Sequence, residues 1–168
     1  KSDAWEGGHR VPFIVRWPGV VKPGSVSGQL VHQADLMATF AELLGKPLAE
    51  GSGEDSFSLL GLLKGEDKPV RENSVSCSIR GVPSVRKGPW KLLMAPGSGG
   101  WTKGGGGNPV QLYNLADDLG EKKNLATSQP GRVKEMKALL EEIITRGRST
   151  PGKARKNDVK VRRYGGKK

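Results

Sequence analysis

The residues best suited to chemistry open the chain, in the run Lys1-Ser2-Asp3-Ala4-Trp5-Glu6-Gly7-Gly8-His9-Arg10-Val11-Pro12. An ammonium, a carboxylate, an imidazole and a guanidinium lie close together, and the adjacent glycines Gly7 and Gly8 permit backbone shapes that a side chain would forbid. Glu6 and Arg10 read as an ion pair holding that glycine turn, because paired charges are often scaffolding. His9 reads as a packing or pocket-wall residue rather than a base. Lys1, taken by itself ahead of a serine and an aspartate, reads as a solvated terminal residue. A second candidate group is the pair Trp101 and Lys103, set in a glycine-rich loop. An aromatic plane beside a cation could stack on a sugar and meet an anionic group; the plainer reading is a flexible loop with an incidental tryptophan. His32, just ahead of a helical pattern, could line a cleft or make a structural contact.

No nucleophile or metal set emerges from residue types alone. Cys77 is the single cysteine, which excludes an internal disulfide and any multi-cysteine metal site. Its alternating apolar surroundings predict a core thiol. The adjacent acidic pairs Glu54-Asp55, Glu66-Asp67, Asp117-Asp118 and Glu141-Glu142 lack further oxygen ligands at a metal-binding spacing and read as solvated. The net charge of +11 suggests nucleic acid until it is divided by position. From Arg146 onward there are ten Lys or Arg against Asp158 alone, while the preceding 145 residues carry 18 bases and 16 acids. No helix-turn-helix, zinc finger or RNA-binding aromatic motif accompanies that charge, so no specific nucleic-acid partner is expected. No apolar run approaches the roughly 20 residues needed to span a bilayer.

The elements that must position these residues are legible from periodicity. Residues 10–17 form a β-branched and aromatic run between Gly7-Gly8 and Pro18-Gly19, which predicts a buried strand. Leu36, Met37, Phe40, Leu43 and Leu44 follow helical spacing, with Asp35 as the expected N-cap and Gly45 as the stop. Leu59–Leu63 predicts a short helical turn. Four short strands are expected over 75–79, 82–86, 90–94 and 110–115, and tight turns favour an antiparallel sheet. The spacing of Val133, Met136, Leu139, Leu140, Ile143 and Ile144 predicts a helix over 130–146, capped by Ser128, opened by Pro130 and ended by Gly147. Beyond it, the basic segment 147–168 reads as a mobile, disordered tail.

These motifs in this order resemble the sulfatase family. The opening segment is similar to the family's second signature, in which an active-site lysine lies five residues ahead of Glu-Gly-Gly-x-Arg-x-Pro. Asp35-Leu36-Met37-Ala38-Thr39 with Gly45, then Asp55-Ser56-Phe57-Ser58-Leu59, resemble the helix and segment that follow it. Lys87-Gly88-Pro89-Trp90-Lys91-Leu92 and Leu112-Tyr113-Asn114-Leu115 through Gly120-Glu121-Lys122-Lys123-Asn124-Leu125 match the C-terminal hairpin and its closing element, with Leu119 where proline is usual. The resemblance implies an α/β fold: the C-terminal end of an alkaline-phosphatase-like domain over 1–72, then a small antiparallel four-stranded sheet packed on a helix over 73–146. It implies sulfuric ester hydrolysis, with Lys1 catalytic through a sulfate oxygen, and with His9, Trp101, Lys103 and His32 toward the substrate. Glu6, Gly7, Gly8 and Arg10 would support the site. The family's calcium ion and formylglycine are expected of the full-length protein, with their motifs outside this chain; Cys77 is followed by Ser78-Ile79-Arg80 and does not fit the formylglycine motif. The chain alone is therefore expected to be inactive. Its implied partner is a sulfate ester such as a sulfated carbohydrate, and the location implied for the full-length protein is secreted or periplasmic. An accessory module that binds sulfated or anionic polysaccharide without turnover is the alternative.

Overall fold

The computed structural model describes residues 1–105 and 107–165; Gly106 of the glycine-rich loop and Gly166, Lys167 and Lys168 of the basic tail lie outside them. In chain order the elements are α1 (Glu6–His9), α2 (Asp35–Leu43), α3 (Leu60–Leu63), β1 (Asn73–Cys77), β2 (Pro83–Lys87), β3 (Trp90–Leu93), β4 (Gln111–Asn114) and α4 (Pro130–Arg146). They fall into two compact units. One holds residues 1–11, 75–145 and 157–168, and the other 12–74 and 146–156.

The first unit is built on an antiparallel sheet in the order β1-β2-β3-β4. Ser84 faces Leu93 across β2 and β3, and Leu92 faces Leu112 across β3 and β4. Period-two alternation gives the sheet two different faces. Val85, Leu92 and Leu112 form one core with Met136, Leu140 and Ile144, which recur every four residues along α4. On the other face Leu93 packs with Ala4, Val82 and Ala95, against which Trp5 also rests. The opening segment therefore lies on the sheet face opposite α4. Gly147, at φ +63°, ends α4 as expected, whereas Ser128 donates its hydroxyl back to the Leu125 carbonyl instead of capping.

The second unit centres on α2 and α3. Asp35 is not the expected N-cap; it is the first helical residue and is 0% exposed. Its carboxylate accepts both Arg71 Nη1 (2.8 Å) and the Phe57 N–H (3.0 Å), while the Arg71 guanidinium lies 4.9 Å from the Phe57 ring centroid. Thr39 ties the two helices by donating to the Asp35 carbonyl and accepting from the Leu59 N–H. Within this unit Arg148 donates to Thr150 Oγ1 (2.8 Å), which in turn donates to the Glu54 carbonyl (2.7 Å).

Two expectations change. Residues 10–17 form no strand, and Val11 and Ile14 are 71% and 88% exposed. A strand is held by a neighbour's backbone, and none among the described residues pairs with this run. Cys77 ends β1 exposed rather than in the core, because the strand's buried position is Ser74. Of the basic segment, Arg163 forms a bidentate pair with Glu141, and the Asn157 amide donates to the Ile144 carbonyl. Among the described residues no helix is long and apolar enough to cross a membrane.

Candidate active site at the opening signature

The opening signature is fixed from below by charge. Lys91 stands on the same sheet face as Leu93 and is only 1% exposed. Its Nζ lies 2.9 Å from Glu6 Oε1 and 2.8 Å from Glu121 Oε1. The second Glu121 oxygen accepts the backbone N–H of Glu6, closing a ring of contacts among three segments far apart in sequence. Glu121 adopts φ +53°, a left-handed conformation uncommon for a residue with a side chain, and these contacts hold it there. His9 Nε2 sits 3.2 Å from Glu6 Oε1 at the outer edge. Burial pushes the Glu6 carboxyl up, but the His9 hydrogen bond and the Lys91 charge and hydrogen bond outweigh it and hold the group down at about 2.

Two sequence-based readings are thereby revised. The Arg10 guanidinium comes no closer than 3.9 Å to the Glu6 carboxylate, so Lys91, 85 residues away, is the main partner of that carboxylate. The glycine pair does not serve by unusual backbone shape either, since neither residue has a positive φ and the segment is a helical turn. Gly8 matters because a Cβ there would lie 2.1 Å from the Asp3 carbonyl oxygen, whereas one at Gly7 would meet nothing within 4 Å.

A polar relay joins the signature to the glycine-rich loop. Trp5 Nε1 and the Tyr113 hydroxyl both donate to Gln111 Oε1, at 3.0 and 2.6 Å. The Gln111 amide donates onward to the carbonyls of Ala95 and Gly97. Burial, then the nearby Glu121 charge, pushes the Tyr113 hydroxyl up to about 12, so it remains a donor. The loop that follows is not loose throughout: the Ala4 N–H donates to the Ser98 carbonyl (2.8 Å), and Asp3 accepts the N–H groups of Trp101 (2.8 Å) and Thr102 (3.2 Å) as well as the Thr102 hydroxyl.

The structure thus gathers Lys1, Glu6, Gly8, His9, Arg10 and Trp101 in one unit. Lys1 is exposed, its main-chain nitrogen 3.1 Å from the Gly7 carbonyl, and no ion pair engages its ammonium among the described residues. Trp101 is 61% exposed, and Lys103 is exposed on the same loop. His32 lies in the other unit, where its Nδ1 accepts the Ala34 N–H at the start of α2. Asp3, Lys91, Gln111 and Glu121 escaped assignment from sequence. Lys91 and Glu121 lie inside quoted motifs, and a lysine alternating with Leu93 on a sheet face was the available signal.

The sulfatase family model matches residues 1–46. An N-acetylgalactosamine-6-O-sulfatase of Bacteroides thetaiotaomicron is 41% identical over 151 residues, covering 87% of this chain. The chain matches a C-terminal fragment of the sulfatase family. It spans 29% of the length of the Bacteroides protein. Human arylsulfatase A is 31% identical over 160 residues, which cover 85% of this chain and 31% of that protein. A solved Bacteroides thetaiotaomicron sulfatase, described in the metabolism of multiple glycosaminoglycans, superposes with a TM-score of 0.75 at 39% identity, over 85% of this chain and 31% of its own. The four-stranded antiparallel sheet on a helix agrees with that fold. Calcium and formylglycine are general to sulfatases. Among the described residues no three His, Cys, Asp or Glu side chains cluster as a metal site, and the exposed Cys77 lacks the formylglycine motif; neither group fits residues of this chain.

Proposed function

We propose that this chain forms the lysine-bearing wall of a sulfuric ester hydrolase site. The observation that carries the reading is the buried Glu6–Lys91–Glu121 network beneath the signature, which gives the segment bearing Lys1 a fixed seat while leaving the Lys1 side chain exposed. When the sulfur–oxygen bond of a sulfate ester breaks, the leaving oxygen takes up negative charge. A preorganised ammonium is worth most at such a position, because it needs no reorganisation as the charge develops. Lys1 binds a sulfate oxygen, with His9 at the rim. Trp101 and Lys103 receive the remainder of the substrate. The carbohydrate sulfatase activity named for the Bacteroides relative supports a sulfated sugar as substrate class. Nucleophilic attack and metal binding belong to residues outside this chain, so the chain alone has no turnover.

A chimera tests this. The upstream part of the Bacteroides relative is joined to Lys1 of this chain in place of the relative's own C-terminal segment, and hydrolysis of a chromogenic aryl sulfate is followed. The chimera turns over, and Lys1→Gln lowers kcat/KM by about 100-fold or more, the scale of losing one transition-state charge contact. A Lys1→Gln chimera with unimpaired turnover contradicts the assignment.

A further inference from the structure

Asp3 is nearly buried, yet no cation engages it among the described residues; its partners are neutral donors, the adjacent Ser2 hydroxyl (3.4 Å) and three groups of one short stretch of loop. Both of its oxygens are used, one by the N–H groups of Trp101 and Thr102 and the other by the Thr102 hydroxyl. The loop closes around this anchor. Ser98, itself buried, accepts the Gly100 N–H (3.0 Å) and donates to the Thr102 carbonyl (2.9 Å), while the Ser78 hydroxyl holds the Gly99 carbonyl (2.7 Å). The fit at Gly100 is close: a Cβ there would stand 2.3 Å from Asp3 Oδ1 and 2.5 Å from the Ser2 carbonyl oxygen. Ser2 reaches its own position through φ +78°, and its carbonyl accepts the Ile79 N–H (2.8 Å). A segment two residues from Lys1 is thus shaped, at a conformational cost, to grip the backbone on either side of an indole that stays exposed.

We propose that Asp3 is a positioning residue that fixes Trp101 beside Lys1, so that the indole forms a platform for the sugar ring of a sulfated carbohydrate. The inference rests on the sulfate-ester reading for the role of Lys1, and adds to it the device that sets the distance between the anion contact and the ring contact. An indole offers a broad apolar face to the C–H groups of a pyranose, and a clamp on its own backbone lowers the ordering cost of using it. Burial raises the Asp3 carboxyl, but the hydroxyl and N–H of Thr102 outweigh that and hold it at about 2, so the clamp is intact at any pH near neutrality.

The test uses the 168-residue chain and two probes, galactose 6-sulfate and galactose. Backbone amide exchange at Trp101 and Thr102 reports the clamp, and NMR titration of the Trp101 indole reports binding. Asp3→Ala releases the two amides and weakens galactose 6-sulfate binding by about fivefold, and Trp101→Ala weakens it equally without changing the melting temperature. Asp3→Asn, which keeps one acceptor oxygen, restores most of the amide protection. If Asp3→Ala unfolds the chain, Thr102→Val and Gly100→Ala serve instead, since each loosens the clamp from the loop side. If these variants release the loop but leave binding unchanged, or if the amides stay protected, the positioning role is overturned while sulfate recognition by Lys1 stands. If wild type binds both probes equally through Trp101, the platform stands and the sulfate reading fails. Binding of neither probe overturns both.

Discussion

Asp35 in the helical unit and Glu6 in the sheet unit are both buried carboxylates that meet a buried base, but the company each keeps is different. Asp35 has one cation, Arg71, and its remaining contacts are backbone N–H groups of the same unit. The charges balance and the pair is closed. Around Lys91 there are two carboxylates for one ammonium, and the surplus is met at the outer edge by His9 and more distantly by Arg10. A closed pair is what a scaffold requires. An open network that reaches the surface through the signature's own side chains ties the segment bearing Lys1 to the sheet beneath it.

That difference can be broken experimentally. Arg71→Met strands a fully buried Asp35 and is expected to destabilise the chain most, by about 3–5 kcal/mol in urea denaturation, and a further Asp35→Leu change should recover much of the loss. Lys91→Met removes the only ammonium from between Glu6 and Glu121, but His9 and Arg10 remain to compensate, so a smaller loss of about 2–3 kcal/mol is expected. Equal losses from the two variants would mean that the edge groups contribute nothing. The smallest effect is the acid limb of the stability curve. Glu6 and Asp3 are held at about 2, below their ordinary 4.5 and 3.8. Their folded values lie below their unfolded ones, so the stability they add is complete above about pH 4.5 and is lost as pH falls toward 2. Melting temperatures across that window should decline less steeply in Lys91→Met, because Lys91 is one cause of the Glu6 depression. An unchanged acid limb would detach Glu6 from Lys91.

Legibility from sequence followed the range of the interactions. α4 occupies the expected residues 130–146 because its apolar spacing, Pro130 and Gly147 are local signals that tertiary packing reinforces. The four strands appear within two residues of their expected ends for the same reason. The run 10–17 carries an equally strong local signal and forms no strand, since pairing depends on a neighbour that its own residues cannot supply. The same logic governs the site. The signature marked Lys1, Glu6, Gly8, His9 and Arg10, but spacing favoured Arg10 over Lys91 as the partner of Glu6, because a contact across 85 residues leaves no local trace. Asp3 carries no local signal of its role, although its carboxylate accepts the Trp101 N–H from 98 residues away.

In the proposed site the Lys91 network seats Lys1, whereas the Asp35–Arg71 pair only maintains the fold. The most direct measurement is kcat in the chimera carrying Lys91→Met or Arg71→Met, each assayed at low temperature where circular dichroism shows it folded. Lys91→Met is expected to lower kcat by about tenfold or more, the scale expected when a charged group is displaced by an ångström, while Arg71→Met leaves kcat at the parent value. Equal kcat in the two folded variants would contradict that role of the Lys91 network.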